Sequence, residues 1–253
     1  MRESRKEIER HFFDKTFELE SRRSVSKFYR VVQSSRDYYK EYLIRNCRNK
    51  EVIEYGCGKG SYAFILADHA LKVVGIDISE VAIKIAKAKA KEDNLDNIVF
   101  LNQDAEAMKF ENSSYDVIFG TGILHHLHLD KAMSEIVRVL RPEGRAIFIE
   151  PLGHNPLINL FRKLTPQLRT EDEHPLTNDD LKFIEEFFYQ KSHKFYHLFS
   201  LLAVPFRKYR MFPLFLKLLD NLDDKIFKWL PFSKLMAWQV VIILEKPKKL
   251  LFR

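Results

Sequence analysis

The sequence predicts an α/β fold, a doubly wound, Rossmann-like sheet, on three observations. Short β-prone runs alternate with helical stretches between residues 51 and 150, the pattern of βαβ units building a parallel sheet. The first run breaks into a glycine-rich loop, Gly56-Cys57-Gly58-Lys59-Gly60. Acidic residues then mark the first three runs at or near their carboxyl ends: Glu54, Asp77 and Asp104.

Taken in order, residues 1–48 form an N-terminal helical segment. Ile8, Phe12, Phe13 and Phe17 recur at helical spacing, as do Tyr38, Tyr39, Tyr42 and Leu43. A core over 49–199 follows, opened by the strand Glu51–Tyr55 and the helical stretch SYAFILADHA. The second strand is LKVVGID, and SEVAIKIAKAKAKEDN is a strong helix with Ser79 as its N-cap. Strands at Ile98–Leu101 and Tyr115–Phe119 come next, the latter leading through Gly120-Thr121-Gly122 into a helix expected near Leu124. Arg141-Pro142-Glu143-Gly144 reads as a turn into the strand Arg145–Glu150. Residues 151–177 are the natural place for a substrate loop, NDDLKFIEEFF reads as a helix capped by Thr177 or Asn178, and KSHKFYHLF as a strand. Residues 200–236 form an apolar helical cap insertion, and 237–247 hold the final core strand, WQVVIILE.

Composition narrows the class. Apolar residues make up 46% and charged residues 30% of the 253, ordinary proportions for a globular chain able to bury a full core. Cys47 and Cys57 are the two cysteines, too few and wrongly spaced for a disulfide framework or a Cys-based zinc site. The N-terminal stretch is charged and lacks an apolar signal core, and no run approaches a spanning length, so a cytoplasmic protein is expected. A net charge of +7 permits a polyanionic partner, though a solvated basic surface is the plainer reading.

The loop carries the chemistry. Glycines let backbone approach a ligand without a Cβ in the way, and the helix start beyond them offers free N–H groups. The spacing G-x-G-x-G is one residue shorter than the dinucleotide fingerprint, which counts against a hydride-transferring dehydrogenase. Asp77 stands about 20 residues on, where a carboxylate can accept ribose hydroxyls. In a doubly wound sheet neighbouring strand ends converge on one crevice, so Glu54, Asp77, Asp104 and the Gly120–Gly122 turn should meet there.

The segments EYGCGKG, VVGIDIS, NQDAEAM, YDVIFGTGILHHL and LRPEGRAIFIEP resemble successive motifs of class I S-adenosylmethionine-dependent methyltransferases, in the subgroup of ubiquinone/menaquinone-biosynthesis and natural-product enzymes. The resemblance spans about residues 50–151. It implies a seven-stranded sheet with the last strand antiparallel, and S-adenosylmethionine as cofactor. It also implies that Glu54, Gly56, Cys57 and Gly58 surround the methionine part and Asp77 the ribose. Ile78 would pack on adenine, Asp104 and Ala105 meet its amino edge, and Thr121 lie near the methionine end.

The acceptor is expected to be a small apolar or aromatic molecule, methylated at oxygen or carbon, with nitrogen as a further option. A hydroxyl or carbon acid needs a base, and the candidates are His126 first, then His125, Glu150, His154 and His174. No metal is assigned, although carboxylates and imidazoles gather in 169–174. Residues 195–236 interleave aromatics with Lys and Arg and admit four readings: a lid over the crevice, a helical subdomain with its own core, a homodimer contact, or a surface on a membrane, with lid or core favoured over membrane. Two rival functions stand beside the leading one. An RNA or DNA methyltransferase suits the charge but lacks an Asn/Asp-Pro-Pro-Tyr motif after the fourth strand, and a catalytically silent S-adenosylmethionine-binding partner protein would keep the same loop.

Overall fold

The computed structural model describes residues 5–19, 30–165 and 174–248. Five parallel strands carry the first part of the chain: β1 (Glu51–Tyr55), β2 (Lys72–Asp77), β3 (Ile98–Asn102), β4 (Tyr115–Thr121) and β5 (Leu140–Pro151). The last two are β6 (Phe188–Tyr196) and β7 (Gln239–Pro247), and β7 lies antiparallel between β5 and β6. The sheet order is β3-β2-β1-β4-β5-β7-β6, seven strands with an antiparallel last strand. The order reverses between β1 and β4, which is where open α/β sheets place their ligands.

Alternation along the strands sends side chains to two layers. On one side Val52, Val73, Val117 and Ile147 pack with Tyr39 and Leu43 of α2 (Gln33–Cys47), Leu66 of α3 (Ser61–Leu66) and Ile83 of α4 (Glu80–Glu92). On the other, Ile53, Ile76, Ile118 and Phe148 pack with Met133 and Ile136 of α5 (Leu129–Val139). Helices on both faces are why these strands are apolar throughout rather than alternating. Ser79 caps α4 by accepting from Ala82 N at 3.1 Å.

Further along, α6 (Pro156–Leu164) starts at the cap Asn155, and α7 (Asn178–Glu185) starts at Thr177 with a full capping box to Asp180. The helix α1 (Arg5–Leu19) precedes all of these. Between β6 and β7 lie a 3-10 segment (Ser200–Phe206), α8 (Phe212–Trp229) and a second 3-10 segment (Pro231–Met236).

The helices expected over 61–70 and 178–188 end early, at Leu66 and Glu185, and three further boundaries differ from the sequence expectation. The helix near Leu124 is a single 3-10 turn, Leu124–His126, because extended backbone at Leu127 and His128 postpones α5 to Leu129. The turn expected at 141–144 is absorbed into β5, where the register jumps from Tyr115↔Leu140 to Val117↔Arg145 as a bulge. Strand β6 spans 188–196 instead of 191–199, since His197 takes a φ of 65° and turns the chain away.

Candidate functional site

The carboxyl ends of β1 to β4 open onto one crevice of about 420 Å³. All nine positions that sequence reasoning assigned to a cofactor line it: Glu54, Gly56, Cys57, Gly58, Asp77, Ile78, Asp104, Ala105 and Thr121. Strand pairing explains the meeting, because Glu54 sits opposite Gly75 and Phe119, and Asp77 opposite Asn102.

The glycine loop is held by acidic side chains. Glu54 accepts from Tyr62 N at 3.2 Å and Ala63 N at 2.8 Å, tying β1 to the start of α3. Burial pushes its carboxyl up to about 8, against the pull of those two N–H groups. Asp77 accepts from Gly58 N at 2.7 Å and Ser79 N at 2.9 Å, so one side chain fixes both loops that face the cavity. Burial likewise raises it above the usual carboxylate range. Gly56 has a φ of +68°, and a Cβ there would stand 2.6 Å from the Ile123 side chain. Only glycine leaves this backbone bare and unstrained.

Comparison with known proteins identifies the family. A methyltransferase-domain profile matches residues 46–199, more than half of the chain. The chain belongs to this family. Demethylmenaquinone methyltransferase of Lactococcus lactis is 40% identical over 116 residues, 44% of this chain and 45% of that protein. A phthiotriol/phenolphthiotriol dimycocerosates methyltransferase of Mycobacterium leprae is 32% identical over 108 residues, 42% of this chain and 39% of that protein. The matched stretch thus spans less than half the length of either relative. Among solved structures, phosphoethanolamine N-methyltransferase 2 of Haemonchus contortus, bound to S-adenosylhomocysteine, superposes with a TM-score of 0.61. It is 20% identical, the match covering 84% of this chain and 53% of that one. Geranyl diphosphate C-methyltransferase of Streptomyces coelicolor, bound to the same product, gives 0.59 at 13% identity, with 83% and 79% covered. At these identities the structures establish the shared fold alone.

S-adenosylmethionine is the cofactor of this methyltransferase fold, and the residues present fit it. Bare backbone at Gly56 and Gly58, carboxyl side chains at the ends of β1 and β2, and the apolar side chain of Ile78 converge on the cavity. That donor and acceptor set suits a nucleoside joined to an amino acid.

The candidate bases separate. His126 lines the crevice, its ring 5.3 Å from that of Phe13, with Nδ1 3.8 Å from Glu9 Oε1. His125 lies behind it, ring centroids 4.2 Å apart, and pairs through Nδ1 with Glu150 Oε2 at 2.7 Å. Glu150 is fully buried and also accepts from Ile123 N at 2.8 Å and Leu124 N at 2.9 Å. His154 belongs to another hollow, where its Nε2 accepts from Asn178 N at 3.4 Å. His174 is exposed, and 169–173 lie outside the described residues. No group of three or more His, Cys, Asp or Glu among the described residues could hold a metal ion.

The cover of the crevice corrects an expectation. Residues 200–236 contribute nothing to its lining among the described residues; Arg5, Lys6, Glu9, Phe13 and Phe17 of α1 do. Arg5 donates to Glu106 and to the His126 carbonyl, and Lys6 pairs with Asp104 and, at 2.9 Å, with Glu106. Burial works against the Lys6 charge, yet Asp104 and Glu106 hold it above the usual lysine range. Ser79 Oγ donates to Asp14, binding the same helix to the start of α4. The insertion instead packs at the β6 edge, where Asp223 of α8 accepts from Leu198, Phe199 and Ser200 N–H groups at 2.7–3.1 Å. The signal for α1 was in the sequence: Phe13 and Phe17 share one helical face with Glu9 and Lys6 close by. What those aromatics face is a tertiary matter.

Proposed function

We propose that this methyltransferase carries out methyl transfer to a small apolar acceptor at oxygen or carbon, with His126 as the base. The observation that carries the reading is the position of His126, which shares the crevice wall with all nine cofactor positions. Bound there, S-adenosylmethionine supplies an electrophilic methyl group for in-line displacement. The protein's part is alignment and proton removal.

Asp77 and Glu54 orient the loops, and Thr121 with Gly122 and Ile123 borders the cavity at the end of β4. Glu150 fixes the turn that carries His126 by accepting from the Ile123 and Leu124 N–H groups at its start. It also holds His125 by Nδ1, so that pair positions the turn while His126 faces the cavity. Phe13 packs edge-on to His126, and the α1 cover excludes water from the reacting atoms. The names of the two curated relatives, for demethylmenaquinone and for phthiotriol dimycocerosates, favour an acceptor of apolar character.

The test is to incubate the protein with methyl-labelled S-adenosylmethionine and an extract of its source cell, then fractionate the product. Label is expected in organic-soluble small molecules. The His126→Gln variant should lower kcat about a hundredfold, on the scale of lost general-base catalysis, with S-adenosylhomocysteine affinity unchanged. Label in RNA, or full activity in the variant, overturns the proposal.

A further inference from the structure

We infer that the insertion between β6 and β7 is a monotopic membrane-docking surface for an anionic bilayer. The inference stands on the surface chemistry of residues 200–236 and is independent of the identity of the acceptor.

The helix α8 is apolar on two faces. Phe212, Leu216 and Phe227 are buried, the first two with Ile158 and Leu201 and the third in the main core. A second stripe, Met211, Leu214, Leu218, Leu222 and Trp229, recurs at helical spacing and faces outward. Its members are 64, 53, 60, 41 and 79% exposed. A folded domain needs one apolar stripe per surface helix to reach its core, so the second stripe has no internal purpose. It continues into Phe232, which is 68% exposed, and into an open, apolar hollow of about 380 Å³ that includes Phe206, Tyr209, Met211 and Leu214. Contiguous exposed apolar area of this kind marks an interaction site.

Charge selects the occupant. Residues 200–236 carry seven Lys or Arg and three Asp. Asp223 is buried against the 198–200 backbone, and burial raises Asp220 to about 6 where it meets Ser34 and Ser200. Asp224 is the one exposed acid of the three and stands against five exposed cations, so the outward face is net positive: Lys217, Lys225 and Lys228 are exposed along α8, and Lys208 and Arg210 just before it. Two copies docking through this face would bring like charges together. An anionic bilayer answers both features, taking the apolar stripe into its interface and drawing the cations to its headgroups. No helix among the described residues is long and apolar enough to cross a membrane, so this surface would lie on the bilayer.

The full chain would be sedimented with vesicles of phosphatidylcholine alone and of phosphatidylcholine and phosphatidylglycerol in equal parts. Binding is expected to the mixed vesicles and to weaken with added salt. The double variant Leu218→Ser, Trp229→Ser should bind them at least about tenfold more weakly, as should Lys217→Glu, Lys228→Glu. Both variants should keep the parent melting temperature and S-adenosylhomocysteine affinity, which separates a lost surface from a lost fold or cofactor site. Absence of vesicle binding, equal binding by the variants, or a stable dimer in sedimentation that the serine variant dissolves would overturn the inference.

Discussion

The crevice and the α8 insertion solve opposite problems with the same residue economy. At the ends of β1 to β5 the buried Glu54 and Glu150 and the half-buried Asp77 are each answered by backbone N–H groups, and bare glycine backbone faces the cavity. In α8 one stripe is answered by the core and the other by nothing among the described residues. Polar groups that are satisfied internally define a preorganised site for a small ligand. Apolar groups left unsatisfied define a surface for something large.

The comparison breaks most easily at Glu150. Its replacement by Ala strands the Ile123 and Leu124 N–H groups and the His125 Nδ1 in a buried turn. Unpaired buried donors cost about 1–3 kcal/mol each, so equilibrium denaturation should register a loss of about 3–5 kcal/mol. A loss under about 1 kcal/mol would mean water or a rearranged turn satisfies these groups.

Next in size is the pH dependence. The folded chain keeps the Glu54 proton up to about pH 8, whereas the unfolded chain releases it near the ordinary value of 4.5. Its contribution is therefore present in full below 4.5 and is lost as pH rises toward 8. Burial lowers His197 from 6.5 to about 3, which gives the opposite slope, stability falling as pH drops through that window. The two oppose one another between 4.5 and 6.5. Above that only the Glu54 slope remains, worth about 2 kcal/mol by pH 8 at 1.36 kcal/mol per pH unit. Denaturant midpoints measured between pH 6.5 and 8 should decline in the parent protein and stay flat in Glu54→Gln. A parent profile with no decline would show that Glu54 is already ionised in the fold.

The smallest expected effect sharpens the ligand side. Asp77→Ala removes the acceptor shared by Gly58 N and Ser79 N. Calorimetric affinity for S-adenosylhomocysteine should fall at least about tenfold, the scale of lost charge-assisted hydrogen bonds. Unchanged affinity would place the ribose elsewhere.

Local signals were enough to read the strand–loop–helix core. The glycines after β1, the acid ending β2 and the cap Ser79 each act within a few residues of their own element, and the structure brings them to one crevice as their spacing implied. The Leu124 turn reads as a helix in sequence, yet its backbone is held by Glu150, 26 residues away, and such a partner leaves no trace in local periodicity. Strand β6 was displaced for the same reason, its end set where His197 bonds Ser35 at 2.9 Å and Ser200 at 3.1 Å.

By itself the amino-acid order determined the sheet, the glycine cradle and the acids around it, since period, propensity and turn chemistry are short-range. Only the tertiary structure decided what covers the crevice and which histidine faces it. Arg5 and Lys6 reach Glu106 and Asp104 across about a hundred residues of chain. The 200–236 segment is held away by Asp223 at the β6 edge. Both α1 and α8 are amphipathic on paper; which one meets the cavity depends on where distant polar partners dock it, and hydrophobic spacing carries no record of that.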